Sequence, residues 1–163
     1  MITETDRLEI RELTSNDKNS LFEIYSDKEA MKYRNTKPFD SLDEVEKMLA
    51  KTFQKFEFSE EFRYAVIQKE GNELIGTFLI IPLSKNECEI GYSIGKKYWK
   101  KGYGKELLIG MLKYISSLTY IKVLATSRKE NIASLKLLEK IGFKLSSKKD
   151  IDNCFCFEYA LQK

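Results

Sequence analysis

The amino-acid sequence predicts a single α+β domain over residues 1–163, in which strands and helices alternate along the chain. This length is usual for one domain, and 42% of the residues are hydrophobic, which is enough for a sizeable core. Segments that alternate polar and apolar residues, typical of half-buried strands, are interspersed with segments whose apolar residues recur every three or four positions, typical of helices. No repeat, low-complexity segment or linker-like stretch interrupts this order.

The first half of the chain is predicted to contain a strand, two helices and three more strands. Residues 7–13 alternate polar and apolar side chains, as a half-buried strand does. Asn16 or Asp17 can cap the first helix, and Ser41 with Glu44 forms a capping box for the second. These six segments span approximately residues 7–13, 16–25, 41–58, 63–68, 74–81 and 87–94.

The second half is predicted to continue with a glycine-containing loop, a helix, a strand, a helix and two strands. Asn131 can cap the second of these helices, and Gly142 is a typical C-terminal stop. The five segments after the loop span approximately residues 103–117, 122–126, 131–141, 143–147 and 154–161.

The most informative stretch is 98–105, Tyr-Trp-Lys-Lys-Gly-Tyr-Gly-Lys, where a strand pattern ends and a helix pattern begins. Gly102 and Gly104 let the backbone come close to a ligand and adopt angles that other residues resist. The first turn of the helix has free N–H groups and a partial positive charge, so the pattern predicts an anion site, most naturally for phosphate. The alternative is a glycine-containing turn beside a solvated lysine cluster. The lysines of this region are Lys96, Lys97, Lys100, Lys101 and Lys105.

Two better-known phosphate-binding loops do not fit this stretch. A P-loop ends in Gly-Lys-Ser/Thr, and the chain has no such run. A dinucleotide fingerprint requires a third glycine where Leu107 stands, and it belongs to the first strand–helix unit of a domain, whereas this loop lies past mid-chain.

Composition excludes several classes of function. The chain has no histidine, so His-dependent hydrolases are excluded and acid–base chemistry falls to other side chains or water. Cys88, Cys154 and Cys156 are too few for a zinc site without histidine, so we expect thiols in a reducing cytoplasm and no metal. The net charge of +3 is too small to imply nucleic-acid binding. No apolar run approaches the roughly 18 residues of a membrane helix, and the polar N-terminus is no signal peptide.

The glycine loop resembles the acyl-CoA loop of the GCN5-related N-acetyltransferases (GNAT), whose pattern is Arg/Gln-x-x-Gly-x-Gly/Ala. Gly102 and Gly104 match its glycines. Trp99 stands at the Arg/Gln position, as in the branch that modifies ribosomal-protein N-termini (RimJ/RimL-like). Three further motifs resemble this branch and occur in its order, so the resemblance covers nearly the whole chain. These motifs are residues 5–11, 89–92 and 131–143.

This resemblance implies the GNAT-like fold, a mixed, mostly antiparallel central sheet flanked by helices. It also implies an N-acetyltransferase that moves the acetyl group of acetyl-CoA directly to a primary amine, without a metal. The acceptor would be a protein N-terminus or a small amine, and the oligomeric state stays open between monomer and homodimer. The residues implied to bind coenzyme A lie on one strand, the glycine loop and one helix cap: Tyr92, Ile94, Lys101, Gly102, Tyr103, Gly104, Lys105 and Asn131.

Glu89 and Ser134 are the candidate catalytic residues. The resemblance places the strand of Glu89 beside the pantetheine, where a carboxylate can take the amine proton directly or through a water. The alternative is a solvent-facing glutamate, the interpretation favoured for Glu87. The resemblance also implies that this strand diverges from the next, freeing a backbone N–H of residues 91–94 for the oxyanion. Many family members have a tyrosine acid where this chain has Leu138, so Ser134 becomes the candidate donor to the thioester sulfur, or else a plain helix residue.

The acceptor side and the function itself leave alternatives open. Residues 39–61 contain seven acidic side chains against three lysines, which would favour a cationic amine if they lined the site. A solvated helix face is the commoner origin of such a run. Instead of an enzyme, the chain could be a catalytically silent acyl-CoA-binding regulatory domain. It could also be a nucleic-acid-binding module that uses residues 96–105, which would require exposed aromatic residues among the lysines.

Overall fold

The computed structural model describes residues 1–54, 61–146 and 153–162. Its strands are β1 (Thr3–Glu4), β2 (Leu8–Glu12), β3 (Phe62–Gln68), β4 (Glu73–Pro82), β5 (Glu87–Ile94), β6 (Lys122–Arg128), β7 (Lys144–Leu145) and β8 (Cys154–Ala160). Its helices are α1 (Lys18–Ser26), α2 (Lys28–Met31), α3 (Leu42–Phe53), α4 (Tyr103–Ser116) and α5 (Ile132–Ile141). Short 3-10 turns precede α1 and the glycine loop, at Ser15–Asp17 and Lys96–Tyr98.

The strands form one open sheet in the order β1-β2-β3-β4-β5-β6-β8-β7. Every neighbouring pair is antiparallel except β5 and β6, which are parallel. The predicted mixed, mostly antiparallel sheet with flanking helices is therefore confirmed. A parallel pair needs a crossover connection, and α4 supplies it between β5 and β6.

Helices cover both faces of the sheet and divide the core in two. The apolar stripe of α4 packs with α5 on one face, which we call the α4 face; its core includes Leu8, Ile10, Val66, Ile90, Leu108 and Met111. The other face, which we call the α1 face, packs against α1 and α3; its core includes Leu21, Tyr25, Val45, Leu49, Ala65 and Ile67. No helix in the described part of the chain combines the length and apolar character that crossing a membrane requires.

The structure departs from the predicted boundaries in a few places. The two-residue strand β1 precedes the predicted first strand and is too short for alternation to reveal it. The single-turn helix α2 was not predicted either; it is capped by Asp27, whose side chain accepts a hydrogen bond from the N–H of Ala30 at 2.8 Å. The helix predicted for 41–58 ends at Phe53, and residues 55–58 lie outside the described residues, as does residue 147 of the strand observed as β7.

β5 and β6 separate partway along their length. They pair at four positions, the last of which joins Ile90 to Ala125. β5 then continues beside β4 to Ile94, and β6 continues beside β8 to Arg128. We call the resulting gap the β5–β6 split. In parallel sheets, ligands bind at the carboxyl ends of the strands. Both α4 and α5 begin beyond the carboxyl ends of β5 and β6.

Candidate functional site

The glycine loop, residues 98–105, turns sharply between the 3-10 turn and α4. Lys100 and Gly102 have positive φ angles of 61° and 84°. The left-handed conformation is readily adopted by glycine and strained for most other residues, which explains glycine at position 102. Left-handed residues in a turn curl neighbouring N–H groups toward one side, as they do in anion-binding nests.

The backbone N–H groups of the second part of this loop, from Lys100 onward, have no acceptor among the described residues. Within the described part of the chain, none of the N–H groups from Lys100 to Lys105 donates a hydrogen bond, and the first bond of α4 runs from Glu106 N–H to the Gly102 carbonyl at 3.2 Å. The five lysines of the stretch are exposed around them. Together with the positive end of the α4 dipole, these donors form a cradle for an anion such as a pyrophosphate.

Arg7 and Glu106 hold the glycine loop in place, and neither residue was predicted to belong to the site. Arg7 donates from Nη1 to the Lys101 carbonyl at 3.1 Å, and its guanidinium lies 4.5 Å from the centre of the Tyr103 ring. Glu106 accepts hydrogen bonds from Arg7 Nε at 2.7 Å and from the Thr5 hydroxyl at 2.6 Å. Burial alone would raise the pKa of Glu106, but these hydrogen bonds and the Arg7 charge outweigh it and lower the pKa.

We call the contacts of Thr5, Arg7 and Glu106 the Arg7 brace. Part of it was visible in the sequence, because Thr5 and Arg7 belong to the motif at residues 5–11. Spacing alone could not pair them with a carboxylate about a hundred positions away. Trp99 adds a second tie, since its indole N–H donates to the Ile94 carbonyl at 2.6 Å and so fixes the loop to the end of β5.

The two glycines of the loop serve different purposes. A Cβ on Gly102 would meet only the Arg7 guanidinium, at 3.4 Å, so this position needs glycine for its backbone angle. A Cβ on Gly104 would lie 3.2 Å from Leu137 Cδ2. Gly104 therefore allows α4 and α5 to approach closely.

Two of the three aromatic residues beside the lysines lie in the core. Tyr98 is 6% exposed and Tyr103 is 8% exposed, whereas Trp99 is 41% exposed. Tyr98 donates its hydroxyl to Glu73 at 2.6 Å, and its ring meets Tyr103 edge to face. Tyr103 can therefore contribute its backbone N–H to a ligand but not its ring. The exposed, interleaved aromatics that a nucleic-acid module requires are not found here.

The side chains of β5 alternate between the two faces of the sheet. Ile90, Tyr92 and Ile94 belong to the α4 face, so Glu89 lies on the α1 face. Glu89 is half-buried, and its carboxylate has no hydrogen-bond or ion-pair partner among the described residues. Glu87 differs, because its carboxylate pairs with Lys122 at 2.9 Å. Of the two carboxylates on β5, only that of Glu89 has no partner among the described residues.

Tyr92 and Ser134 join the two sides of the β5–β6 split. The hydroxyls of these residues lie 2.9 Å apart, and the Asn131 side chain accepts the N–H of Ser134 at 3.2 Å, which confirms Asn131 as the helix cap. Burial raises the pKa of Tyr92, and the Ser134 hydrogen bond opposes it only in part, so the phenol stays protonated at neutral pH. Leu138 is 1% exposed and lies in the core.

The acidic residues of α3 face away from the sheet. Asp43 and Glu46 are exposed, Glu44 completes the capping box with Ser41, and Glu46 pairs with Lys18. The solvated-face interpretation of the run at 39–61 therefore holds for its described helical part. Glu57 and Glu60, which belong to the same run, lie outside the described residues. Across the part of the chain that is described, no group of acidic or cysteine side chains could hold a metal ion.

Comparison with known proteins decides the family. The family model described as "Acetyltransferase (GNAT) domain" matches residues 7–144. The chain belongs to the GNAT family of acetyltransferases. Among curated relatives, "Uncharacterized N-acetyltransferase p20" of Bacillus licheniformis is 32% identical over 142 residues, which cover 85% of this chain and 80% of that protein. The predicted family membership and enzyme class are confirmed.

Solved structures of GNAT proteins share the fold. An acetyltransferase of the GNAT family from Bacillus anthracis superimposes with a TM-score of 0.86 at 24% identity, over 99% of each chain. RimL, a ribosomal L7/L12 α-N-protein acetyltransferase in complex with coenzyme A, superimposes with a TM-score of 0.82 at 14% identity, over 96% of each chain. At these identities the likeness is one of fold.

Proposed function

We propose that this GNAT protein transfers the acetyl group of acetyl-CoA to a primary amine at the β5–β6 split. The observation that carries the proposal is the row of N–H groups from Lys100 to Lys105, which have no acceptor in the described chain and lie beside the split. Pyrophosphate oxygens are the acceptors that such a row fits. The coenzyme would then extend from the glycine loop toward the split. Glu89, on β5, and Ser134, on α5, lie on the two sides of that split.

The chain divides the binding of acetyl-CoA among three segments. The N–H groups of residues 101–105 take the pyrophosphate. The stretch 91–94, with Tyr92 and Ile94, takes the pantetheine, because every second residue of a strand directs its N–H and C=O away from its antiparallel partner and here into the split. Asn131 orders the start of α5 on the opposite side.

Acetyl transfer then needs a base, an oxyanion donor and a leaving group. Glu89 takes the proton of the amine, which attacks the thioester carbonyl; the C–N bond forms and gives a tetrahedral oxyanion, which collapses as the C–S bond breaks. A backbone N–H of residues 91–94 stabilises the oxyanion. Coenzyme A leaves as a thiolate, which departs easily because the ordinary pKa of a thiol is about 8.5. In the Ser134–Tyr92 pair one hydroxyl donates to the other, and the second hydroxyl donates to the sulfur.

The proposal is tested by the release of free thiol from acetyl-CoA in the presence of amines. The panel should contain polyamines, aminoglycosides, amino acids and N-terminal peptides. We expect amine-dependent thiol release with at least one class. Tight acetyl-CoA binding without thiol release from any amine would instead identify a catalytically silent regulatory domain.

A further inference from the structure

The α1 face beside the β5–β6 split carries an arginine cluster that the proposed chemistry does not use, formed by Arg34, Arg63 and Arg128. Arg63 stands opposite Leu79 on β4, and Leu79 stands opposite Gly91, the first residue of β5 beyond its last pair with β6. Because neighbouring strands lie about 4.8 Å apart, the Cα atom of Arg63 lies about 10 Å from the start of the split.

Two contact chains connect this cluster through the loop between α2 and α3. Arg63 donates from Nη1 to the Tyr25 hydroxyl at 3.1 Å, and the guanidinium of Arg34 lies 5.0 Å from the centre of the Tyr25 ring. Arg128, on the last residue of β6, donates from Nη2 to the side-chain oxygen of Asn35 at 3.2 Å. The adjacent loop residues Arg34 and Asn35 therefore contact both sides of the α1 face: Arg34 packs on Tyr25, which binds Arg63 of β3, and Asn35 binds Arg128 of β6.

The cluster has more donors than acceptors. Arg63 pairs with Glu61 at 3.1 Å and its side chain is only 10% exposed. The Nε atoms of Arg63 and Arg128 are buried and lack a hydrogen-bond partner among the described residues. Arg34 and Arg128 contact no carboxylate in the described part of the chain, and Lys37 adds a further charge to the same loop. Buried donors without acceptors cost free energy, and guanidinium groups match the planar fork of a carboxylate.

We infer that the acceptor is an amine that also carries a carboxylate, which the arginine cluster binds while the amine faces Glu89. This inference rests on the proposed function and names its substrate class. The neutral amine forms the C–N bond, the C–S bond breaks, the amine proton goes to Glu89 and coenzyme A leaves. A polyamine has the wrong charge for this surface. The carboxylate can belong to a free amino acid or to an acidic side chain near a peptide N-terminus.

Matched acceptor pairs test the inference in the full chain. One pair is an α-amino acid and its carboxamide; the other is a peptide that begins Ala-Asp-Glu and the same peptide with Asn-Gln. For one of the pairs, we expect kcat/KM to be at least about tenfold higher for the carboxylate member. The pair that responds shows whether the carboxylate belongs to a free amino acid or to an acidic side chain of a peptide. Spermidine should be a poorer acceptor than the carboxylate member of the pair that responds.

Three variants of the arginine cluster and one control variant locate the effect. Arg34→Gln and Arg128→Gln should each lower kcat/KM for the carboxylate acceptor by about tenfold, through KM, and leave the carboxamide rate nearly unchanged, which also shows that the variants are folded. Arg128→Lys should recover only part of the loss. Lys113→Gln, which removes an exposed charge from α4 on the other face, should change nothing.

Each outcome has a defined meaning. Equal rates within both pairs, a preference for spermidine, or equal losses on both members of a pair would overturn the inference while leaving acetyl transfer intact. If acetyl-CoA fails to bind in calorimetry, the proposed function fails first. If it binds but no carboxylate-bearing amine releases thiol, the acceptor class is wrong.

Discussion

The cofactor side and the acceptor side of this protein are built in different ways. The proposed cofactor side consists mainly of backbone N–H groups from consecutive residues, 100–105, at the start of one helix. The acceptor side that we infer consists of side chains from α1, the loop between α2 and α3, β3 and β6. Backbone geometry set by glycine is visible in a short stretch of sequence, whereas a side-chain cluster exists only after distant segments have folded together. The experiments below separate the two sides.

The largest effect is expected between them, at Glu89. Glu89→Gln should lower kcat by on the order of a hundredfold or more, because the amine loses its proton acceptor, while acetyl-CoA affinity stays the same. Glu87→Gln is the matched control, since that carboxylate lies on the same strand but pairs with Lys122. Steady-state rates with a true acceptor and calorimetry with acetyl-CoA measure the two effects. Turnover of Glu89→Gln within about twofold of the parent would remove Glu89 from the mechanism.

Substitutions in the glycine loop should change the affinity for acetyl-CoA rather than the rate of the chemical step. Gly102→Ala places a Cβ at a φ of 84° and strains the loop by about 1–2 kcal/mol, so acetyl-CoA affinity should fall about tenfold. Gly142→Ala is the matched control, because it places a Cβ at a positive φ of 108° after α5, outside the loop. Calorimetric titration of both variants measures the difference. Equal affinities would show that the left-handed loop is not what holds the coenzyme.

The hydroxyl pair across the split should have a smaller effect. Tyr92→Phe and Ser134→Ala should each slow turnover by about fivefold, the equivalent of about one hydrogen bond near 1 kcal/mol. The double variant should be no slower than the worse single variant, since both hydroxyls serve one donation. The ascending limb of the pH–rate profile should persist, because it reports deprotonation of the amine or Glu89. Loss of that limb would mean that the base has been assigned wrongly.

The Arg7 brace, through Glu106, should make the free energy of unfolding depend on pH. The lowered pKa of Glu106 means that its carboxylate stabilises the fold above its ordinary pKa of 4.5, and that this stabilisation is lost as pH falls through the lower folded value. The free energy of unfolding of the parent should therefore exceed that of Glu106→Gln at pH 7, and the difference should shrink below pH 4.5. Urea denaturation at a series of pH values measures it. A difference that does not change with pH would show that the contacts contribute by packing alone.

The sequence predicted the elements that local pattern controls and missed those that tertiary contact controls. The capping box at Ser41, the Asn131 cap and the glycine loop all follow from neighbouring residues, and all are present. The Arg7 brace and the arginine cluster were not predicted, because each joins residues dozens of positions apart. The acidic run at 39–61 was countable in the sequence, but only the packing of α3 shows that its helical acids face solvent.

The central claim is that the loop N–H groups and the free edge of β5 hold acetyl-CoA. Titration of ¹⁵N-labelled protein with acetyl-CoA tests it directly, because backbone N–H resonances move when they gain an anionic acceptor. We expect the largest shifts at residues 100–105, smaller shifts at 91–94, and little change at Arg34, Arg63 and Arg128 until an acceptor is added. Saturable binding that leaves the resonances of 100–105 unmoved would contradict the account.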